Sequence, residues 1–157
     1  MSILTAGKIL SLDNLRHALV RPRRAGKKVV FTNGCFDLLH PGHVASIERA
    51  KNLGDILVVG LNSDGSVRRL KGSPRPILPE RARLEVVAAL EAVDYVLLFR
   101  EDTPELVLSI LKPDILVKGS DYELKDIAGR QYAKKIVRIP LEAGYSTSAI
   151  IRKIRRS

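Results

Sequence analysis

Val29-Val30-Phe31-Thr32-Asn33-Gly34-Cys35-Phe36-Asp37-Leu38-Leu39-His40-Pro41-Gly42-His43 is the stretch that decides the fold. Val29 to Thr32 is a short apolar run that reads as a buried strand. Pro41 opens a helix that runs to Leu53 and is stopped by Gly54. Proline suits a first helical position, where its missing N–H would have had no partner. The segment therefore leaves a strand and enters a helix. His40 and His43 are three apart across the helix start, so both face the same side. Gly42 removes a side chain between them and lets a ligand approach the backbone. Unpaired N–H groups and the helix dipole add positive potential. These residues describe a phosphate-sized hollow with two imidazole donors.

Outward from this stretch, strands and helices alternate. Ile56 to Leu61, Tyr95 to Phe99, Ile115 to Lys118 and Ile136 to Ile139 read as four further strands. Helices are predicted over Pro79 to Val93, from Thr103 with Pro104 at its first position, and over Ser146 to Ile154. Apolar strands separated by helices imply a parallel sheet covered on both faces. The predicted fold class is α/β, a doubly wound, Rossmann-like five-stranded parallel sheet with an extra N-terminal helix. Such sheets bind ligands beyond the carboxyl ends of the strands, where the winding reverses. Residues 1–28 read as that helix, over Leu12 to Val20, followed by a basic connector from Arg21 to Lys28. Residues 29–157 read as the main domain.

The composition bounds the function. The 157 residues hold 27 Lys and Arg against 17 Asp and Glu, a net charge of +10. That balance attracts anions without choosing among nucleotides, nucleic acids and membranes. Nothing approaches the roughly 18 apolar residues of a membrane span. No secretory signal opens the chain, so a cytoplasmic location is expected. The single cysteine, Cys35, excludes an internal disulfide framework, and so few Cys and His residues argue against structural zinc. A dehydrogenase would want Gly-x-Gly-x-x-Gly after the first strand, and a Walker-type kinase Gly-x-x-x-x-Gly-Lys-Ser/Thr; neither occurs. A nucleic-acid-binding module would want aromatic stacking platforms, yet aromatics are only 4% of residues.

Most other constellations admit two readings each. Asn62-Ser63-Asp64 is a capping turn or a ligand contact. Lys71-Gly72 lies in a mobile loop, as a solvated Lys or one that closes over phosphate. Arg83, early on its helix, reads as a surface partner of Glu80. Tyr145-Ser146-Thr147-Ser148 caps the last helix and can also offer hydroxyl and N–H groups to phosphates, with Arg152 one turn on. Asp37 either steadies a turn or contacts substrate.

The run Gly34 to His43 resembles the signature of the cytidylyltransferase-like nucleotidyltransferases, whose hallmark is His-x-Gly-His. Phe31 to Asp37 is most similar to the adenylyltransferases that activate heptose 1-phosphate, which occur alone or fused behind a sugar kinase. Further similarity runs through Leu61 to Asp64, Arg68 to Gly72, Arg75 to Ile77, Arg83, Lys118 to Tyr122 and Gly144 to Ser148. Ser120 stands where the family usually has glycine or another small residue. The stretch from Asp121 to Val137 is compact and rich in Lys and Arg.

The resemblance implies transfer of AMP from ATP to a sugar 1-phosphate, with release of pyrophosphate. It implies His40, His43, Lys71 and Arg83 as catalytic residues. Nucleotide contacts would come from Thr32, Asn33, Gly34, Cys35, Phe36, Gly42, Lys118, Gly119, Tyr145, Ser146 and Thr147. Substrate contacts would come from Asp37, Asn62, Asp64 and Asp121. Strand four would lie beside strand one and turn Lys118 toward the nucleotide. Mg²⁺ would be held mainly by ATP phosphates and water, with no protein metal site. Cys35 is expected to pack under the loop without a catalytic role. The partners expected are ATP, a sugar 1-phosphate from another protein, and a second copy in a homodimer; neither nucleic acid nor membrane is expected. A sister cytidylyltransferase acting on glycerol 3-phosphate or another alcohol phosphate is the alternative.

Overall fold

The computed structural model describes residues 3–140, 142 and 144–156. Its elements in chain order are α1 (Ile3–Ala6), α2 (Leu12–Ala18), α3 (Val20–Arg24), β1 (Val29–Gly34), α4 (Pro41–Lys51), β2 (Ile56–Asn62), α5 (Asp64–Lys71), α6 (Glu80–Ala88), β3 (Tyr95–Phe99), α7 (Glu105–Leu111), β4 (Ile115–Gly119), β5 (Lys135–Ile139) and α8 (Thr147–Arg156). Two short 3-10 turns, Leu124–Asp126 and Arg130–Tyr132, lie between β4 and β5.

The five strands are all parallel, in the order β3-β2-β1-β4-β5. The winding reverses between β1 and β4. Strand alternation sorts the apolar side chains onto two faces. Val30, Leu57, Val59 and Val96 meet Ile47 and Ala50 of α4 and Val87 and Ala88 of α6. Val29, Phe31, Val58 and Leu97 meet Leu108 and Leu111 of α7 and, from the N-terminal segment, Leu15 and Leu19. Both Leu15 and Leu19 are sealed from solvent. Just ahead of α2, Ile9 forms a parallel bridge to Val96, which covers the edge of β3.

Several local readings change. The connector from Arg21 is partly helical, because Pro22 falls in the first turn of α3, where no N–H is required. Asp64 to Lys71 is a helix; the Ser63 hydroxyl caps it by accepting from the Ser66 N–H. Lys71 is thus the last residue of α5 and not part of a mobile loop. Pro104 occupies the N-cap of α7, one residue before the helix proper. No helix among the described residues is long and apolar enough to cross a membrane.

Truncating a sealed leucine leaves a cavity as well as losing apolar burial. Leu15→Ala should therefore destabilise the protein by about 2–5 kcal/mol. Urea unfolding measures it, and a change below about 1 kcal/mol would detach α2 from the core.

Candidate active site

A cleft of about 670 Å³ opens at the carboxyl edge of the sheet, over the β1–β4 reversal. A smaller hollow of about 180 Å³ continues beneath it, between the ends of β1 and β4, down to Ile47, Val117 and Ile139.

Its centre is the turn into α4. His40 is the N-cap residue, in extended conformation, and its Nδ1 accepts from the His43 N–H at 3.4 Å. The two imidazoles stack with centroids 3.7 Å apart and planes 22° from parallel. Gly42 makes this possible: a Cβ there would meet His40 Nδ1 at 3.1 Å and Tyr145 Cβ at 3.3 Å. Gly34 does the same for Phe36, whose ring would lie 3.1 Å from a Cβ at position 34. Phe36 itself takes a left-handed φ of 44° and sets its ring 5.3 Å from His43.

Burial, reinforced by the nearby His40, pushes His43 down from 6.5 to about 4. His40 is also lowered by burial, partly offset by a backbone hydrogen bond. Both rings are therefore neutral at pH 7, and a neutral ring has one N–H. Because His40 Nδ1 accepts, its proton belongs on Nε2. The site thus keeps one N–H donor on each imidazole. The buried His43 Nδ1 has no hydrogen-bond partner among the described residues, which further disfavours charge at this position.

Lys118, at the end of β4, reaches across the reversal and donates to Asn33 Oδ1. Burial lowers it from 10.5 to about 8, against the opposing pull of Asp121. Its ammonium lies 5.6 Å from the Tyr122 ring centroid. Beside the His40 turn, Ser146 and the first helical residues of α8, Thr147 and Ser148, line the cleft. The Ser146 hydroxyl accepts from the Ala149 N–H at 3.1 Å, a helix cap.

Of the residues singled out from the sequence, the cleft brings together Thr32 through Asp37, His40, Gly42, His43, Asn62, Lys71, Lys118, Gly119, Asp121 and Tyr145 through Thr147. Arg83 and Asp64 are not among its lining residues. Arg83 is fully buried and donates to the carbonyls of Cys35 (2.6 Å), Asn62 (2.9 Å) and Leu78 (3.1 Å) and to Asp64 Oδ1 (2.7 Å). With those donors engaged, it ties together the loops under the cleft. Glu80, its expected partner, accepts instead from the Asp64 N–H. Asp37, 1% exposed, is a turn-holding residue. Burial raises its carboxyl, but hydrogen bonds from the Leu78 and Ile77 N–H groups and from Arg75 outweigh that and hold it below the usual value. Burial pushes the Cys35 thiol up, against the pull of Lys71, Arg83 and Arg75, so it stays a thiol.

The sequence reading missed Ser46, Thr103, Pro104 and the segment from Asp126 to Ala128, all of which line the cleft. Ser46 lies three residues after His43 on α4, a spacing that was readable. The others come from loops beyond β3 and β4, which only the tertiary fold assembles.

A doubly wound parallel sheet with a cleft at its reversal and paired imidazoles at a helix head defines a Rossmann-like nucleotide-handling domain. Residues 31–153 match the cytidylyltransferase-like family, and the chain belongs to it. It is 54% identical over 153 residues to the bifunctional protein HldE of Helicobacter pylori and 54% identical over 154 residues to that of Citrifermentans bemidjiense. These matches cover 98% and 96% of the chain, which spans only about a third (32%) of either relative. A lipopolysaccharide core biosynthesis protein from Thermoplasma volcanium is 34% identical, with a TM-score of 0.64, over 74% of this chain and 99% of that one. Pantoate-beta-alanine ligase from Francisella tularensis, 18% identical with a TM-score of 0.62 over 91% of this chain and 69% of its own, shares the fold.

Two outcomes follow from this geometry. The folded-state value of His43 lies below the unfolded one, so the unfolded chain binds protons first as pH falls. Stability should decline from about pH 6.5 toward about pH 4 for this reason. His43→Gln should flatten that decline in urea titrations across the window; an unchanged slope would contradict a neutral His43. Arg83→Met should destabilise the fold by at least about 3 kcal/mol, because Asp64 and three carbonyls lose their buried donor. Normal stability with lost turnover would return Arg83 to a direct chemical role.

Proposed function

We propose that this chain is a sugar-phosphate adenylyltransferase that transfers AMP from ATP to heptose 1-phosphate, giving ADP-heptose and pyrophosphate. The observation that carries the reading is the stacked imidazole pair of the His-x-Gly-His turn, set beside the first turn of α8 in one cleft. The acceptor assignment draws on the resemblance at Phe31 to Asp37 and on the 54% identity to proteins named as bifunctional, of which this chain matches about a third (32%). The name of the Thermoplasma relative, lipopolysaccharide core biosynthesis protein, fits the same pathway.

An acceptor phosphate oxygen attacks the α-phosphorus in line, forming the new P–O bond as the bond to pyrophosphate breaks. A phosphate monoester has a second pKa near 6, so the attacking oxygen is already largely ionised and needs no general base. The protein's work is positioning and charge stabilisation. His40, through Nε2–H, and His43, through its one N–H, donate to the charge developing around the α- and β-phosphates. Lys118 becomes fully protonated against the bound polyanion. Lys71 and the first-turn groups of α8 hold the leaving pyrophosphate. Mg²⁺ enters with the triphosphate as substrate. Phosphate oxygens and water would supply most of its ligands. We assign the reaction to the cytoplasm and, by family resemblance, to a homodimer.

The test is pyrophosphate release with Mg²⁺, offering ATP and CTP separately against heptose 1-phosphate and glycerol 3-phosphate. Turnover confined to ATP with heptose 1-phosphate is the expected result. Turnover with CTP and glycerol 3-phosphate would overturn the acceptor and base while keeping the chemistry. His43→Ala should lose at least about 2.7 kcal/mol of transition-state stabilisation in kcat/KM. Cys35→Ala should retain measurable turnover, and its abolition in a folded variant would make the thiol part of the chemistry.

A further inference from the structure

The turn that carries His40 and the turn that opens α8 fit into one another. Gly144 adopts a φ of 85° and brings the chain round so that Tyr145 lies against Gly42. The Tyr145 ring then runs nearly parallel to the His40 imidazole, 17° between planes and 6.2 Å between centroids. Consecutive ring contacts therefore run from Phe36 through His43 and His40 to Tyr145. A second tie joins the same two turns: the Thr147 hydroxyl donates to the Leu38 carbonyl at 3.4 Å.

Beyond its stack on His43, His40 has little else to fix its ring. Its one described side-chain hydrogen bond is the 3.4 Å contact from the His43 N–H, at the long end of the useful range. Tyr145, in contrast, is 48% exposed at the mouth of the cleft, so core burial does not explain its place. An aromatic ring left half in water and laid along an imidazole is well suited to set that imidazole's orientation. It also joins the imidazole to Ser146 and Thr147, its immediate neighbours in sequence.

We propose that Tyr145 is a positioning residue that acts through His40. It stacks on the imidazole and so holds the Nε2 donor in register with the phosphate-binding first turn of α8. This assignment rests on the nucleotidyltransferase reading of the cleft, and it differs from a direct contact between Tyr145 and the nucleotide. The ring makes the contact, so phenylalanine should serve in its place.

The experiment compares Tyr145→Ala and Tyr145→Phe in two readouts. The first is the NMR titration of His40 in protein without nucleotide. The second is kcat and KM for ATP in pyrophosphate release. In Tyr145→Ala, water reaches the His40 ring, so its midpoint should rise toward the ordinary value of 6.5. kcat should fall at least about tenfold, with a smaller change in KM, as expected for a misplaced donor. Tyr145→Phe should restore both the midpoint and kcat to near the starting protein. An unchanged His40 titration in Tyr145→Ala, or a loss confined to KM for ATP, would overturn the proposal and make Tyr145 a nucleotide contact. If the unsubstituted protein turned over no nucleotide, the transferase reading would fail, while the titration would still decide whether Tyr145 orients His40.

Discussion

The cleft depends on a guanidinium sealed from water. Arg83 has no solvent to satisfy its N–H groups, so it gathers the carbonyls of Cys35, Asn62 and Leu78 and the carboxylate of Asp64. Those acceptors belong to the exits of β1 and β2 and to the segment leading into α6. Asp37 complements it, accepting from Arg75, Ile77 and Leu78 with its own buried carboxylate. Burying such charges is unfavourable unless every partner is in place, so the loops are held together or not at all. The turn carrying His40 and His43 starts from that fixed base.

On this base stands a site whose cations are held in check. His43 and His40 are kept neutral by burial, and Lys118 is brought within reach of losing its proton. A polyanion reverses each of these effects. Negative charge favours the protonated forms that burial disfavours, so affinity for phosphate and proton uptake are linked in these residues.

Much of this was legible in the chain because parallel sheets write themselves plainly. Apolar runs such as Val29 to Phe31 and Ile56 to Leu61 read as strands buried on both faces, and the family resemblance put strand four, with Lys118 at its end, beside β1. The three-residue spacing of His40 and His43 predicted a shared face, and the rings do stack. What the sequence hid was direction. Arg83 occupies the same face of α6 as the buried Val87, four residues on, but a charged residue there reads as solvated until the carbonyls around it are seen. Lys71 and Gly72 read as loop because the cap that starts α5 at Ser63 is a tertiary choice between turn and helix. The wall made by Thr103, Pro104 and Asp126 to Ala128 has no local signature, since it exists only where distant loops meet.

The most direct measurement is calorimetry of MgATP binding at pH 8 in buffers of differing ionisation enthalpy. At that pH the imidazoles are neutral, Lys118 is near half-protonated, and the triphosphate is fully ionised. The account predicts net proton uptake on binding, reduced in Lys118→Met. Binding without proton exchange, or with net release, would contradict a triphosphate site built from groups that burial holds neutral.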